Sequence, residues 1–140
     1  MKYFEKFHPN TFYHVFNHAV GFENLFRSRE NFLYFLQRFN KYFQPVGNVY
    51  AYCLMPNHFH FLLQVKDTES LLLYANSKHN NEFDPHKLVM QQLSNCLNGY
   101  AKTYNKQYSR KGALFLDFTK RIKVVACRRV RFYEYQPCCQ

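Results

Sequence analysis

Val49-Tyr50-Ala51-Tyr52-Cys53-Leu54-Met55-Pro56-Asn57-His58-Phe59-His60-Phe61-Leu62-Leu63-Gln64-Val65 is the stretch whose reading decides the fold. Val49 to Met55 and Asn57 to Val65 are rich in β-branched and aromatic side chains, and Met55-Pro56-Asn57 leaves room only for a tight turn. So short a connection makes the two strands an antiparallel hairpin. Along the second strand a period of two places His58, His60, Leu62 and Gln64 on one face and Phe59, Phe61, Leu63 and Val65 on the other. The second set is wholly apolar and is the core face, so both imidazoles point away from the core.

Working outward, Thr11 to Ala19 reads as a strand with Phe12, His14, Phe16 and His18 on one face. After a loop over Gly21 to Phe26, Ser28 can cap a helix. In it Phe32, Phe35, Leu36, Phe39 and Phe43 recur at steps of three and four, and Pro45 and Gly47 end it. Residues 66–83 are polar with a short Leu-rich insert and read as a surface loop with one helical turn at most. Asp84-Pro85 supplies a cap and a first-turn proline for a second long helix. Its apolar stripe is Leu93, Cys96, Leu97, Tyr100 and Tyr104, and it should stop near Gly112. Ala113 to Val125 carries strand formers and a basic run, Lys120-Arg121-Ile122-Lys123. The order β-α-β-β-α-β is the split βαβ of α+β folds, ferredoxin-like or RRM-like, with two helices on one face of an antiparallel sheet. The other face is left for function.

The 140 residues suit one domain, read as residues 1–125, with residues 126–140 an atypical basic tail. Sixteen Phe and twelve Tyr make a packed interior easy to build, which excludes wholesale disorder. Apolar runs of about four residues exclude a membrane-spanning helix, which needs roughly 20, and nothing at the N-terminus resembles a signal peptide. A cytoplasmic protein with reduced thiols is expected: of five cysteines, Cys53 and Cys96 sit inside apolar patterns, and no Cys-x-x-Cys pair occurs. The net charge of +10 is uneven, for ten of the nineteen Lys and Arg lie after residue 100 beside only two acids. Such clustering rewards a polyanion, because neutralising phosphates releases counterions.

Two imidazoles two residues apart on a strand have Cβ atoms about 7 Å apart and can share one metal ion. Taken alone, such a pair is more often two surface or stacked histidines than a metal site, and His14 and His18 read as packed or surface histidines. The wider context adds to this. Tyr52-Cys53-Leu54-Met55-Pro56-Asn57-His58-Phe59-His60-Phe61-Leu62-Leu63 resembles the HUH signature, histidine-hydrophobe-histidine, of single-tyrosine transposases, in particular the REP-associated tyrosine transposase branch of the insertion-sequence type. Phe12-Tyr13-His14-Val15-Phe16-Asn17 is similar to that family's first strand and Phe35-Leu36 to its first helix. Tyr104-Asn105-Lys106-Gln107-Tyr108-Ser109-Arg110-Lys111-Gly112-Ala113-Leu114-Phe115 resembles the helix end and basic turn before its fourth strand. The likeness covers roughly residues 10–125.

The resemblance implies a transposase that nicks and rejoins single-stranded or hairpin DNA through a 5′-phosphotyrosine. It implies Mg²⁺ or Mn²⁺ held by His58, His60 and a third polar ligand, and a homodimer if the last helix is exchanged. Arg110, Lys111, Lys120, Arg121 and Lys123 are the expected phosphate contacts. The family's nucleophile precedes an Asn or Gln by four residues, with Pro commonly next. Aligning Gln136-Pro137 on that pattern puts Phe132, which has no hydroxyl, at the nucleophile position. Tyr133 and Tyr135 remain as candidates, although neither has an amide four residues on. The tail reads as truncated or translated out of frame, and the attacking group is left unassigned. Two other readings compete. A non-catalytic RNA- or DNA-binding module would use the same element order, although histidines stand here where stacking aromatics would be expected. A small metal-dependent hydrolase would need a nearby acid, and Asp67 lies past the strand end.

Overall fold

A computed structural model describes residues 3–79 and 82–125. The order is β1 (Phe12–His18), α1 (Arg29–Phe43), β2 (Gly47–Met55), β3 (His58–Val65), α2 (Thr68–Ser77), α3 (Pro85–Gln107) and β4 (Lys120–Val124). The four strands form one antiparallel sheet in the order β2-β3-β1-β4, and helices pack on one side of it. This is an α+β, broadly ferredoxin-like arrangement. No helix among the described residues is long and apolar enough to cross a membrane.

The strands follow the alternation of their residues. In β3, Phe59, Phe61, Leu63 and Val65 are buried while His58, His60, Leu62 and Gln64 are half-buried on the opposite face. In β1, Tyr13, Val15 and Asn17 are buried and Phe12, His14, Phe16 and His18 are half-buried. The buried faces meet α1 and α3. The Phe39 ring lies on Phe61 at 3.7 Å and nearly parallel, and Phe35 touches Phe59 and Tyr100. Burial raises the Tyr100 hydroxyl pKa and pushes the Cys96 thiol up to about 12.

The helix ends match local chemistry. The Ser28 hydroxyl accepts from the Asn31 N–H, and the Asp84 carboxylate from the His86 and Lys87 N–H groups, with Pro85 at the first helical position. Two expectations need correction. The stretch read as a loop holds a ten-residue helix, α2, started by Asp67, whose carboxylate accepts from the Ser70 N–H, and anchored by buried Leu71 and Ala75. The layer therefore has three helices, not two. The fourth strand is only five residues long, because Asn17 is buried beneath β1 and donates to Leu116 O and Thr119 Oγ1, holding the preceding segment as a turn.

Gly47 opens β2 beside the Gln64 carbonyl, where a Cβ would stand 2.5 Å from that oxygen and collide with the Phe43 ring. Gly47→Ala should therefore cost about 1–3 kcal/mol, as overpacking does. Phe39→Ala, which empties the stack on Phe61, should cost about 3–5 kcal/mol. Urea unfolding of the two variants beside the parent checks both; an unchanged midpoint for Phe39→Ala would contradict the core described.

Candidate nucleic-acid interface

The face of the sheet away from the helices carries side chains from all four strands. The register pairs His18 with His58, Phe16 with His60 and His14 with Leu62 across β1 and β3. It sets Met55 and Cys53 opposite His58 and His60 on β2, and Lys120 and Ile122 opposite Phe16 and His14 on β4. Four histidines are thus gathered at the two central strands, where β1 and β3 are each flanked on both sides.

Their contacts define what each nitrogen can do. The His14 Nε2 and His60 Nδ1 atoms share a hydrogen bond of 2.8 Å, and the two rings stack at 5.0 Å with Phe16 against both. His58 and His18 stack almost parallel at 5.7 Å. The His58 Nδ1 donates to Asn57 Oδ1 at 2.7 Å, so the neutral His58 ring keeps its lone pair on Nε2, and the His18 Nδ1 donates to the Ala19 carbonyl at 2.6 Å. The His58 and His60 rings stand at right angles with centroids 5.1 Å apart. Desolvation lowers the pKa of His14, His58 and His60, and the neighbouring His18 adds to this at His58, as His14 and His58 do at His60. The rings are held neutral, the form that binds a metal or accepts a proton.

As a donor set the pair offers two imidazoles on one face, one with its tautomer fixed by Asn57. No group of three or more His, Cys, Asp or Glu able to hold a metal ion is found among the described residues. His58 and His60 are accordingly two donors, without a third acidic, thiol or imidazole ligand from those residues.

A hollow of about 330 Å³ opens beside the pair, lined by Phe16, His18, Asn57, His58, His60 and Lys120, with Asn17 and Leu116 at its wall. The Lys120 ammonium lies 5.9 Å from the Phe16 ring and 5.8 Å from that of Tyr3. A second hollow of about 350 Å³ flanks His14 and His60 on the β2 side. Farther along, Phe12 meets Tyr50, a residue 58% exposed at the irregularity in β2 whose hydroxyl donates to Gln64.

The five expected phosphate contacts are not placed alike. Lys120 is exposed on the histidine face. Lys123 is exposed but, by alternation, belongs to the other side of β4, where its N–H donates to the Glu5 carboxylate. Arg121 is 7% exposed and donates to the Glu5 and Thr119 carbonyls. Arg110 donates to Glu23 at 2.9 Å, holding that carboxyl below its usual range, and to Asn105, Gly112 and Ala113 oxygens. These two guanidiniums are engaged inside the protein, while Lys111 is exposed at the turn. Tyr133 and Tyr135 lie outside the described residues. Sequence reading left His14 and His18 without partners; the antiparallel register of β1 on β3, implied by the element order, was the signal that could have paired them.

Comparison with solved structures finds a REP-associated tyrosine transposase bound to a REP hairpin, with a TM-score of 0.55 at 8% identity over 91% of this chain. The match spans 64% of the other chain's length. At that identity the likeness is one of fold. No family model matches the sequence, and no curated protein matches it.

The lowered imidazole pKa values have a consequence for stability. Unfolded histidine binds a proton at about pH 6.5 and these rings only below it, so their contribution is unpenalised above that pH and stability falls as pH drops through it. Thermal midpoints should decline between pH 7.5 and 5.5, and less steeply in a His14→Gln, His60→Gln variant. An identical decline in that variant would assign the effect to another group, such as His86, whose pKa burial also lowers.

Proposed function

We propose that this chain is a DNA-binding protein of the tyrosine HUH transposase type, and that the histidine-bearing sheet face is where single-stranded or hairpin DNA lies. The observation that carries the reading is the hollow that sets His58 and His60 beside Lys120 and Phe16. A phosphodiester entering it would meet a cation and two imidazoles, while Phe16 and the Phe12–Tyr50 pair offer rings on which bases can stack. The fold likeness to the hairpin-bound transposase supports this reading.

His58 and His60 would hold Mg²⁺ or Mn²⁺, with Mn²⁺ favoured by imidazole donors. Such an ion would polarise the scissile phosphate and stabilise charge developing on its oxygens. The protein's own contribution is to orient the rings: Asn57 fixes the His58 tautomer, and His14 holds the His60 ring in place. Lys120 would position the backbone. The attacking tyrosine is left unassigned: Tyr133 and Tyr135 are the candidates, and neither fits the family's pattern, so the chain is proposed to keep the binding scaffold with strand transfer impaired. A binding module with RRM-like use of the sheet is the second reading, favoured by the stacked Phe16 and the exposed Tyr50.

Calorimetric titration of the full chain with Mn²⁺ should show binding that weakens at least tenfold in His58→Ala, His60→Ala. Incubation with a labelled hairpin and Mn²⁺ should give a covalent 5′-linked adduct if strand transfer operates. Binding of DNA with no adduct would indicate a chain without a working nucleophile, and absence of DNA binding would overturn both readings.

A further inference from the structure

The helix layer carries a basic feature that the sheet face does not use. Between the end of α1, α2 and the first half of α3 lies a groove of about 790 Å³ whose walls include Lys41, Lys78 and Lys87. None of its eleven lining residues is acidic, and none is an arginine. All three lysines are exposed, and among the described residues none forms an ion pair. Lys41 and Lys78 rest near the rings of Tyr42 and Tyr74, at 5.7 and 5.8 Å, so both ammonium groups stand beside aromatic walls. Lys87 occupies the first turn of α3, where the helix dipole disfavours a cation. The nearby Asp84 carboxylate is spent on the N–H groups of His86 and Lys87.

Three cations converge here with no acid in the lining, which leaves a local excess of positive charge that an anion would relieve. The chemistry of the lining indicates which anion. Lysine is a point charge that binds phosphate oxygens without fixing their orientation, and several such charges along one groove suit an extended polyanion. The side-chain amides of Gln91 and Asn95 add polar groups to the same wall. The groove is built from the helices, which cover the opposite side of the sheet from His58 and His60.

We propose that this groove is a second phosphate-binding site, taking the sugar–phosphate backbone of a DNA segment other than the one on the sheet. Identifying the ligand as DNA rests on the function proposed above; the existence of the site does not. Its role would be to add affinity without reading sequence, since lysine contacts to phosphate carry no base information.

The test is lysine acetylation footprinting of the full chain with and without a DNA hairpin bearing a 5′ single-stranded extension. Protection of Lys41, Lys78 and Lys87 together with Lys120 supports both proposals. Protection of the three alone supports the groove and overturns the sheet face. Protection of Lys120 alone overturns the groove, and protection of neither overturns both. As a second reading, Lys41→Gln, Lys78→Gln, Lys87→Gln should bind the hairpin about tenfold more weakly at low salt. Its log–log salt dependence should be shallower by about two, at roughly 0.7–0.9 per phosphate lost. An unchanged slope, or displacement of DNA from the groove by polyglutamate at equal charge, would contradict the assignment.

Discussion

The two-residue alternation of β3 is the constraint on which the rest depends. Phe59, Phe61, Leu63 and Val65 must be buried against α1 and α3, and satisfying them forces His58 and His60 onto the uncovered face. A slip of one residue in either pairing would exchange the two sets, burying imidazoles and exposing phenylalanines. The Phe39–Phe61 stack and the neighbouring strands β1 and β2 hold that register from both sides. Core packing and the placement of the chemical groups are therefore one event.

Much of this was legible in the chain because it is local. Alternation in β1 and β3, the Ser28 and Asp84 caps and the aromatic stripe of α1 each depend on residues within a few positions of one another. What was missed depends on distant partners or on weak local signals. The pairing of His14 with His60 spans 46 positions and exists only through the strand order. Arg121 and Lys120 look equivalent as letters in a basic run, yet successive strand residues face opposite ways. One guanidinium is buried against the Glu5 and Thr119 carbonyls while the adjacent ammonium stays exposed. Arg110 likewise reads as a surface cation until the chain turn brings Glu23 to it. α2 was masked by its polar flanks, although Asp67 as a cap and the Leu71–Ala75 spacing were its signature.

The same face has features that, on the proposed function, would serve a nucleic-acid strand. Its two hollows lie on the sheet face beside stacked rings and a lysine. Desolvation lowers the pKa of His14, His58 and His60, so on the proposed function attraction of phosphate would fall to lysines at the rim and on the helix layer. On the proposed function, chemistry and electrostatic capture would fall to different side chains.

The most direct measurement is photocross-linking of the full chain to a single strand substituted with bromodeoxyuridine, followed by peptide mapping of the linked residues. The account predicts cross-links on β1 and β3 at Phe12, Phe16, His58 or His60. Cross-links confined to α1, α2 and α3, with none on those two strands, would contradict it.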